Sequence, residues 1–296
     1  MTTLEKYLRD NHGKPIATRL KNRNRGGENN AKGNAFETEF AIHQVAKLFV
    51  AGGQSEATVI ESQAEELVDD LVCTNATLGE KGNYQLKDSP TVRWGSGIAG
   101  DFQIQQDINT TFFNVPSSQT ILVVSDEKCH ARLVKKMPAV MNGYASCLHF
   151  KTDTFNSLLA SNDPQIQPFK DLCAFPDEPD KVTTVWQALN GAWQRNKFDA
   201  VSAKQVVEHA AQGYEPVYFR LNSGADISDD LKALLDKVSG LTYSVYNGFL
   251  VIVIKGCLDE SFEIGSDKLK ELESQLSAQP VLNWIDFIEA FSRGDV

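Results

Sequence analysis

The stretch GNYQLKDSP (82–90) decides how the N-terminal half of this chain folds. Alternate side chains of a β-strand point to opposite faces, so Gln85 and Lys87 share one face while Tyr84 and Leu86 share the other. Upstream, EELVDDLV (65–72) carries an apolar run of its own, and TNATLGEKGN (74–83), rich in Asn and Gly, separates the two. This pattern predicts a hairpin of residues 67–74 and 83–88. In that hairpin Asp70 faces Gln85 and Lys87 from the neighbouring strand. Lysine is seldom a core residue, so one set beside an amide and opposite an acid points to chemistry rather than packing.

Working outward, GNAFETEFAIHQVAKLFVAGG places Phe36, Phe40, Val45, Leu48 and Phe49 at near-helical spacing, and Gly52-Gly53 stops the run. EATVIES gives a strand before the hairpin. Residues 97–112 give a helix with Phe102, Ile104, Ile108 and Phe112 inward, and SQTILVVSD a strand buried on both faces. EKCHARLVKKM is helical, and CLHFKTDTFNSLLAS runs from strand into helix. The fold class implied is α/β, a mixed sheet flanked by helices. Residues 162–182 carry four prolines and are expected to form a linker. Residues 183–296 are expected to form a second, smaller α+β domain for protein interaction. It would hold helices at TTVWQALNGAWQRN and SAKQVVEHAAQ, a strand at EPVYFRL, and a helix capped by Ser228. A hairpin around Asn247-Gly248 and two final helices near 266–278 and 282–292 complete it.

At 296 residues the chain can bury two compact cores, and its 42% hydrophobic and 23% charged fractions are those of an ordinary globular protein. Its apolar runs are too short to cross a bilayer, and the charged start MTTLEKYLRDNHGK lacks the core of a secretory signal. Five scattered cysteines without a CxxC or Cys/His cluster argue against structural zinc and for reduced thiols in the cytoplasm. No GxSxG or GK[ST] is present, which excludes those routes to acyl hydrolysis and phosphate cradling. The net charge of −10 is wrong for a protein that coats nucleic acid. The charge is uneven, however. Residues 1–32 form a basic leader arm, within which residues 14–32 set Lys14, Arg19, Lys21, Arg23, Arg25 and Lys32 against a single acid, Glu28. Such an arm suits phosphates, with Arg19, Lys21, Arg23, Arg25 and Lys32 as the nucleic-acid contacts; the plain alternative is a solvated, partly mobile leader.

Glu37, Asp70, Gln85 and Lys87 are the residue types that phosphodiester hydrolysis requires. Carboxylate and amide oxygens are hard ligands for Mg²⁺ or Mn²⁺. The ion would activate a water, and a lysine would orient that water or steady the charge growing on the phosphate. Asp70 would be the central ligand, completed by Gln85 and Glu37. Asp69 is a rival for Asp70, and Glu39 a weaker rival for Glu37.

In these residues the chain resembles the PD-(D/E)xK, or restriction-endonuclease-like, superfamily. KGNAFETEFA resembles its G-x-x-x-E helix, DDLV its aspartate strand and YQLK its Q-x-K strand, over roughly residues 33–155. The wording VDDLV…YQLKDS is most similar to the branch of anti-phage effector nucleases, which includes nucleotide-activated effectors and the nuclease subunits of Lamassu-type, SMC-associated complexes. Gln85 departs from the commoner glutamate and removes a charge from the metal site.

The resemblance implies a nuclease domain over 33–161 with the restriction-endonuclease-like sheet. It implies a metal-dependent DNA endonuclease serving as effector subunit of a prokaryotic defence system. Its partners would be DNA and a protein such as an SMC-like ATPase or another defence subunit, with no membrane; a homo-oligomer is compatible. The competing expectation is a catalytically inactive nuclease-fold adaptor that scaffolds such an ATPase. A restriction enzyme with its own sequence specificity would need a basic recognition surface, which residues 183–296 do not offer.

Overall fold

The computed structural model describes residues 3–26, 31–51, 57–196, 200–213, 216–221, 226–246, 248–254, 258–278 and 283–292. The chain divides into two units, Met1–Phe169 with Thr183–Gly213, and Lys170–Val182 with Tyr214–Val296. The helices of the first are α1 (Thr3–His12), α2 (Lys14–Gly26), α3 (Ala31–Val50), α4 (Ser96–Asp107), α5 (Glu127–Lys135) and α6 (Phe155–Ala160). Next come α7 (Gln167–Leu172) and α8 (Pro179–Asn196), which both straddle the division, and then α9 (Ala203–Gln212).

The first unit is organised on a mixed α/β sheet. Strands β1 (Thr58–Glu61), β2 (Leu71–Asn75) and β3 (Glu80–Lys87) pair antiparallel, and β4 (Ser117–Val124) and β5 (Ala145–His149) continue from β3 in parallel. The two-residue β6 (Val201–Ser202) closes the other edge, giving the order β5-β4-β3-β2-β1-β6. The expected hairpin therefore forms as β2 and β3. Its turn is set by Asn75, whose side chain accepts the Leu78 N–H at 3.0 Å, and by Gly79, whose φ of +63° suits a residue without a Cβ.

Each face of the sheet has its own cover. On one, α3 packs the Phe40 ring 5.2 Å from Tyr84, and α9 packs against α3 and β1. On the other, α4 and α5 share a core with the strands, built from Val68, Trp94, Phe102, Leu122, Val124, Cys129 and Leu133. The parallel β3–β4 and β4–β5 connections pass through α4 and α5, as parallel pairing demands. The α4 helix ends in a π-helical turn, Ile108–Phe112.

The leader is not a solvated arm. Leu4, Leu8, Ala17 and Leu20 of α1 and α2 are buried with Leu67 and Ile108. Gly13, at φ +88°, turns the chain between the two helices. Asp107 accepts hydrogen bonds from the Tyr7 hydroxyl (2.6 Å) and His12 Nε2 (2.8 Å), which fixes α1 to the end of α4. The leucines sit at helical spacing among the charges and supply an apolar stripe that outweighs them.

The boundary expected at 162–182 and the domain expected from 183 also need correction. Thr183–Gly213 belongs to the first unit: β6 pairs with β1, Trp186 Nε1 donates to Glu39 (3.1 Å) and Gln194 Nε2 to Thr38 Oγ1 (3.1 Å). The prolines do not mark a loose linker. Pro164 opens a 3₁₀ turn capped by the Asp163 side chain, and Pro179 opens α8. Proline is well suited to a first helical turn, where its missing N–H costs nothing.

The second unit contains a three-stranded antiparallel sheet, β7 (Thr242–Tyr246), β8 (Phe249–Ile254) and β9 (Leu258–Glu263). Helices α10 (Asp229–Leu235), α11 (Asp267–Ala278) and α12 (Trp284–Ser292) share a core with it, including Leu231, Leu250, Ile252, Leu272 and Phe287. Ser228 caps α10 as expected. Asn247 lies outside the described residues. The strand expected at EPVYFRL is instead a 3₁₀ turn, Pro216–Tyr218, followed by an isolated bridge from Phe219 to Cys173.

His43 on α3 lies near the rings of Phe150 (5.3 Å) and Phe169 (6.2 Å), and its Nδ1 is buried without a hydrogen-bond partner among the described residues. Burial, helped by the Lys47 charge, lowers its pKa from 6.5 to about 4. The folded state thus resists protonating it more than the unfolded chain does. Stability is whole above pH 6.5, falls as the pH drops toward 4 and then levels, for a total loss of about 3 kcal/mol at ~1.4 kcal/mol per unit. Urea titrations between pH 7 and 4 are expected to show this slope in the wild type and a shallower one in His43→Phe.

Candidate active site

The β2–β3 ladder ends at the pair Leu71–Tyr84. Beyond it, a side chain replaces the next rung. Asp70 Oδ2 accepts the Leu86 N–H at 2.7 Å and a further hydrogen bond from Gln85 Nε2, and the Lys87 ammonium lies 3.6 Å away. Asp70 and Gln85 are 8% and 3% exposed, whereas the Lys87 side chain is 41% exposed. Two hydrogen bonds and one ion pair thus converge on one carboxylate oxygen, and among the described residues no hydrogen-bond donor reaches Oδ1. A charge-assisted backbone bond fixes the carboxylate without neutralising it. The structure brings Asp70, Gln85 and Lys87 together as expected, with Asp70 carrying these bonds. Asp69 is buried next to it, its carbonyl accepting the Ala64 N–H at 3.2 Å.

Glu37 is half-buried on α3 and accepts a hydrogen bond from Gln63 Nε2 at 3.1 Å. Gln63, in the loop from β1 toward Asp70, holds φ +54°, uncommon for a residue with a Cβ. Glu39 is bonded to the Trp186 indole, and burial raises its pKa. That is a packing role. Among the described residues no three His, Cys, Asp or Glu side chains gather into a metal-holding group. The donor set at Asp70 is one carboxylate and one amide, hard oxygens that fit a weakly held Mg²⁺ or Mn²⁺ completed by water and substrate oxygens.

Of the basic arm, Arg19 is committed to an ion pair with Asp101, itself buried. Lys21 is exposed. The side chains of Arg23, Arg25 and Lys32 lie outside the described residues. His130 and His149 bond through Nε2 to the Cys147 and Ser125 carbonyls, as satisfied histidines do.

Comparison with known proteins finds no match to a family model, a curated protein or a solved structure.

One constellation is not announced by any motif in the sequence. Behind Asp70, on the α4 face, Glu66 Oε1 pairs with Lys81 Nζ at 2.6 Å, and both side chains are under a tenth exposed. Glu66 Oε2 accepts from Asn83 Nδ2 (3.0 Å) and Gln105 Nε2 (2.6 Å). Gln105 Nε2 also reaches Asn109 Oδ1, and Asn109 Nδ2 reaches Asn83 Oδ1, each at 3.0 Å. The Lys81 ammonium sits 3.8 Å from the centre of the Phe113 ring. The alternate positions 81, 83 and 85 were the available signal, a polar stripe on what proves to be a central strand.

Removing one member of a buried pair strands the other charge. Lys81→Ala is expected to cost about 3–5 kcal/mol in urea denaturation, and the double variant Glu66→Gln/Lys81→Met clearly less.

Proposed function

We propose that the first unit is a metal-dependent phosphodiesterase that cuts DNA, and that the chain serves as the effector subunit of a prokaryotic anti-phage or anti-plasmid defence system. The observation that carries the chemistry is the Asp70 carboxylate, held through Oδ2 by Leu86 N–H and Gln85 at the end of a ladder, with the solvent-exposed Lys87 3.6 Å away. The restriction-endonuclease-like fold and the defence role rest on the resemblance of DDLV and YQLK to that superfamily.

In this reading Asp70 and Gln85 hold Mg²⁺ or Mn²⁺, and Glu37, which bonds Gln63 on the α3 side of the sheet, would have to swing toward the strand end to join them. When bound, the ion supplies an activated water and offsets charge on the phosphate. Gln85 adds an oxygen ligand without charge, so occupancy is expected only at millimolar ion. Lys87, the most exposed member, meets the scissile phosphate or orients the water. Cavities of about 690 Å³ and 830 Å³ lie elsewhere in the unit, and neither is lined by Asp70, Gln85 or Lys87. A site at strand ends suits a polymer. Lys21 extends the phosphate contacts, which makes binding salt-dependent.

The lack of a third acidic ligand among the described residues favours one rival. That rival is an inactive adaptor holding an SMC-like ATPase. Nicking of supercoiled DNA in Mg²⁺ or Mn²⁺, with the genomic-neighbour proteins present, separates the two. The wild type is expected to cut, EDTA to abolish cutting, and Asp70→Ala and Lys87→Ala to lower the rate at least about a hundredfold. Equal cutting by all three proteins, or none by the wild type, favours the adaptor.

A further inference from the structure

We propose that Gln105 is a positioning residue for Asp70, an inference that rests on reading Asp70 as the reactive carboxylate. Residues 65–70 belong to no helix or strand, yet Glu66, Leu67, Val68, Asp69 and Asp70 are all buried. Buried backbone groups need partners, and a segment without a ladder must find them in local turns and in side chains. Here one atom takes two of them. Gln105, itself fully buried on α4, accepts both the Leu67 and the Val68 N–H through Oε1 at 3.1 Å. The Val68 carbonyl is held in turn by Asn83 Nδ2 at 3.0 Å.

The amide of Gln105 has only one workable orientation. Its nitrogen donates to the Glu66 carboxylate and to Asn109 Oδ1, and its oxygen faces two backbone donors. Every hydrogen-bonding position is used, and a flip would set N–H against N–H. Lys81 anchors Glu66 from the next strand. The segment leading into Asp70 is thereby clamped from α4 on one side, while Leu86 N–H fixes the carboxylate on the other. A buried polar network of this kind brings little net stability compared with apolar packing. What it does supply is a single backbone path, so that Oδ2 meets Leu86 and Oδ1 is left for a ligand.

Asn109 provides the control. It shares the network through Gln105 and Asn83, but its amide bonds neither the backbone of residues 66–68 nor Asp70. Full-length wild type, Gln105→Met and Asn109→Ala would be compared by melting temperature, by Mn²⁺ titration with electron paramagnetic resonance, and by exchange of the Leu86 amide. Both variants are expected to melt lower. Gln105→Met alone should weaken Mn²⁺ binding about 10–100-fold, the usual effect of losing a group that orients a ligand, and should expose the Leu86 amide to faster exchange. Asn109→Ala should stay within about twofold of wild type in Mn²⁺ affinity, as expected of a group remote from the ligand. Should Gln105→Met not fold, Gln105→Asn, which withdraws the acceptor by one methylene, is judged by the same measures.

Equal Mn²⁺ and Leu86 effects in both variants, or none in the Gln105 variant, would overturn the proposal. If the wild type binds no Mn²⁺, the metal reading fails by itself, and Leu86 exchange alone decides the positioning: faster only in the Gln105 variant sustains it, unchanged in that variant overturns it.

Discussion

The hydrogen bond from the Leu86 N–H to Asp70 Oδ2, 2.7 Å long, is where regular pairing gives way to a site. A backbone donor that would have met a neighbouring strand meets a carboxylate instead, so the acid is fixed by the sheet itself. The rest follows from register. With Leu71 opposite Tyr84, Asp70 falls beside Gln85, and Lys87 reaches past the strand end. A slip of one residue would send Gln85 and Lys87 to the α3 face and Tyr84 and Leu86 to the other. The turn at Asn75–Gly79 and the Phe40–Tyr84 contact are therefore as necessary to the site as its own side chains.

Much of this was legible beforehand, for a local reason. The β2–β3 hairpin needs only alternation and an Asn/Gly turn, both contained in some twenty residues, and they suffice to set Asp70 near Gln85. The helices α3, α5, α8, α9, α10 and α11 announce themselves by apolar spacing. What failed depended on distant partners. Val201–Ser202 is too short to signal a strand and becomes one only because β1 offers an edge. EPVYFRL alternates like a strand, but Pro216 and a 3₁₀ turn claim its first half. β9, LDESFE, hides behind its acids, although Phe262 is buried in the core between exposed Ser261 and Glu263.

The buried network was illegible for the same reason. Lys81, Asn83, Gln105 and Asn109 each look like residues of a solvated face, and Glu66 like one of several exposed acids. They become a core only once β3 is known to lie inside the sheet with α4 across it. The leader was misjudged in the opposite sense, since its charges are conspicuous and the leucines that bury it are few. Arg19, expected on phosphate, is instead the partner that allows Asp101 to be buried.

The claim at the centre of this account is that Asp70 holds a divalent ion. The most direct test is a crystal of the full chain soaked in Mn²⁺ and measured for anomalous scattering. The account predicts a peak about 2.1 Å from Asp70 Oδ1, with the Gln85 amide oxygen turned toward it. A peak at other residues only, or none at Asp70 under saturating Mn²⁺, would contradict it.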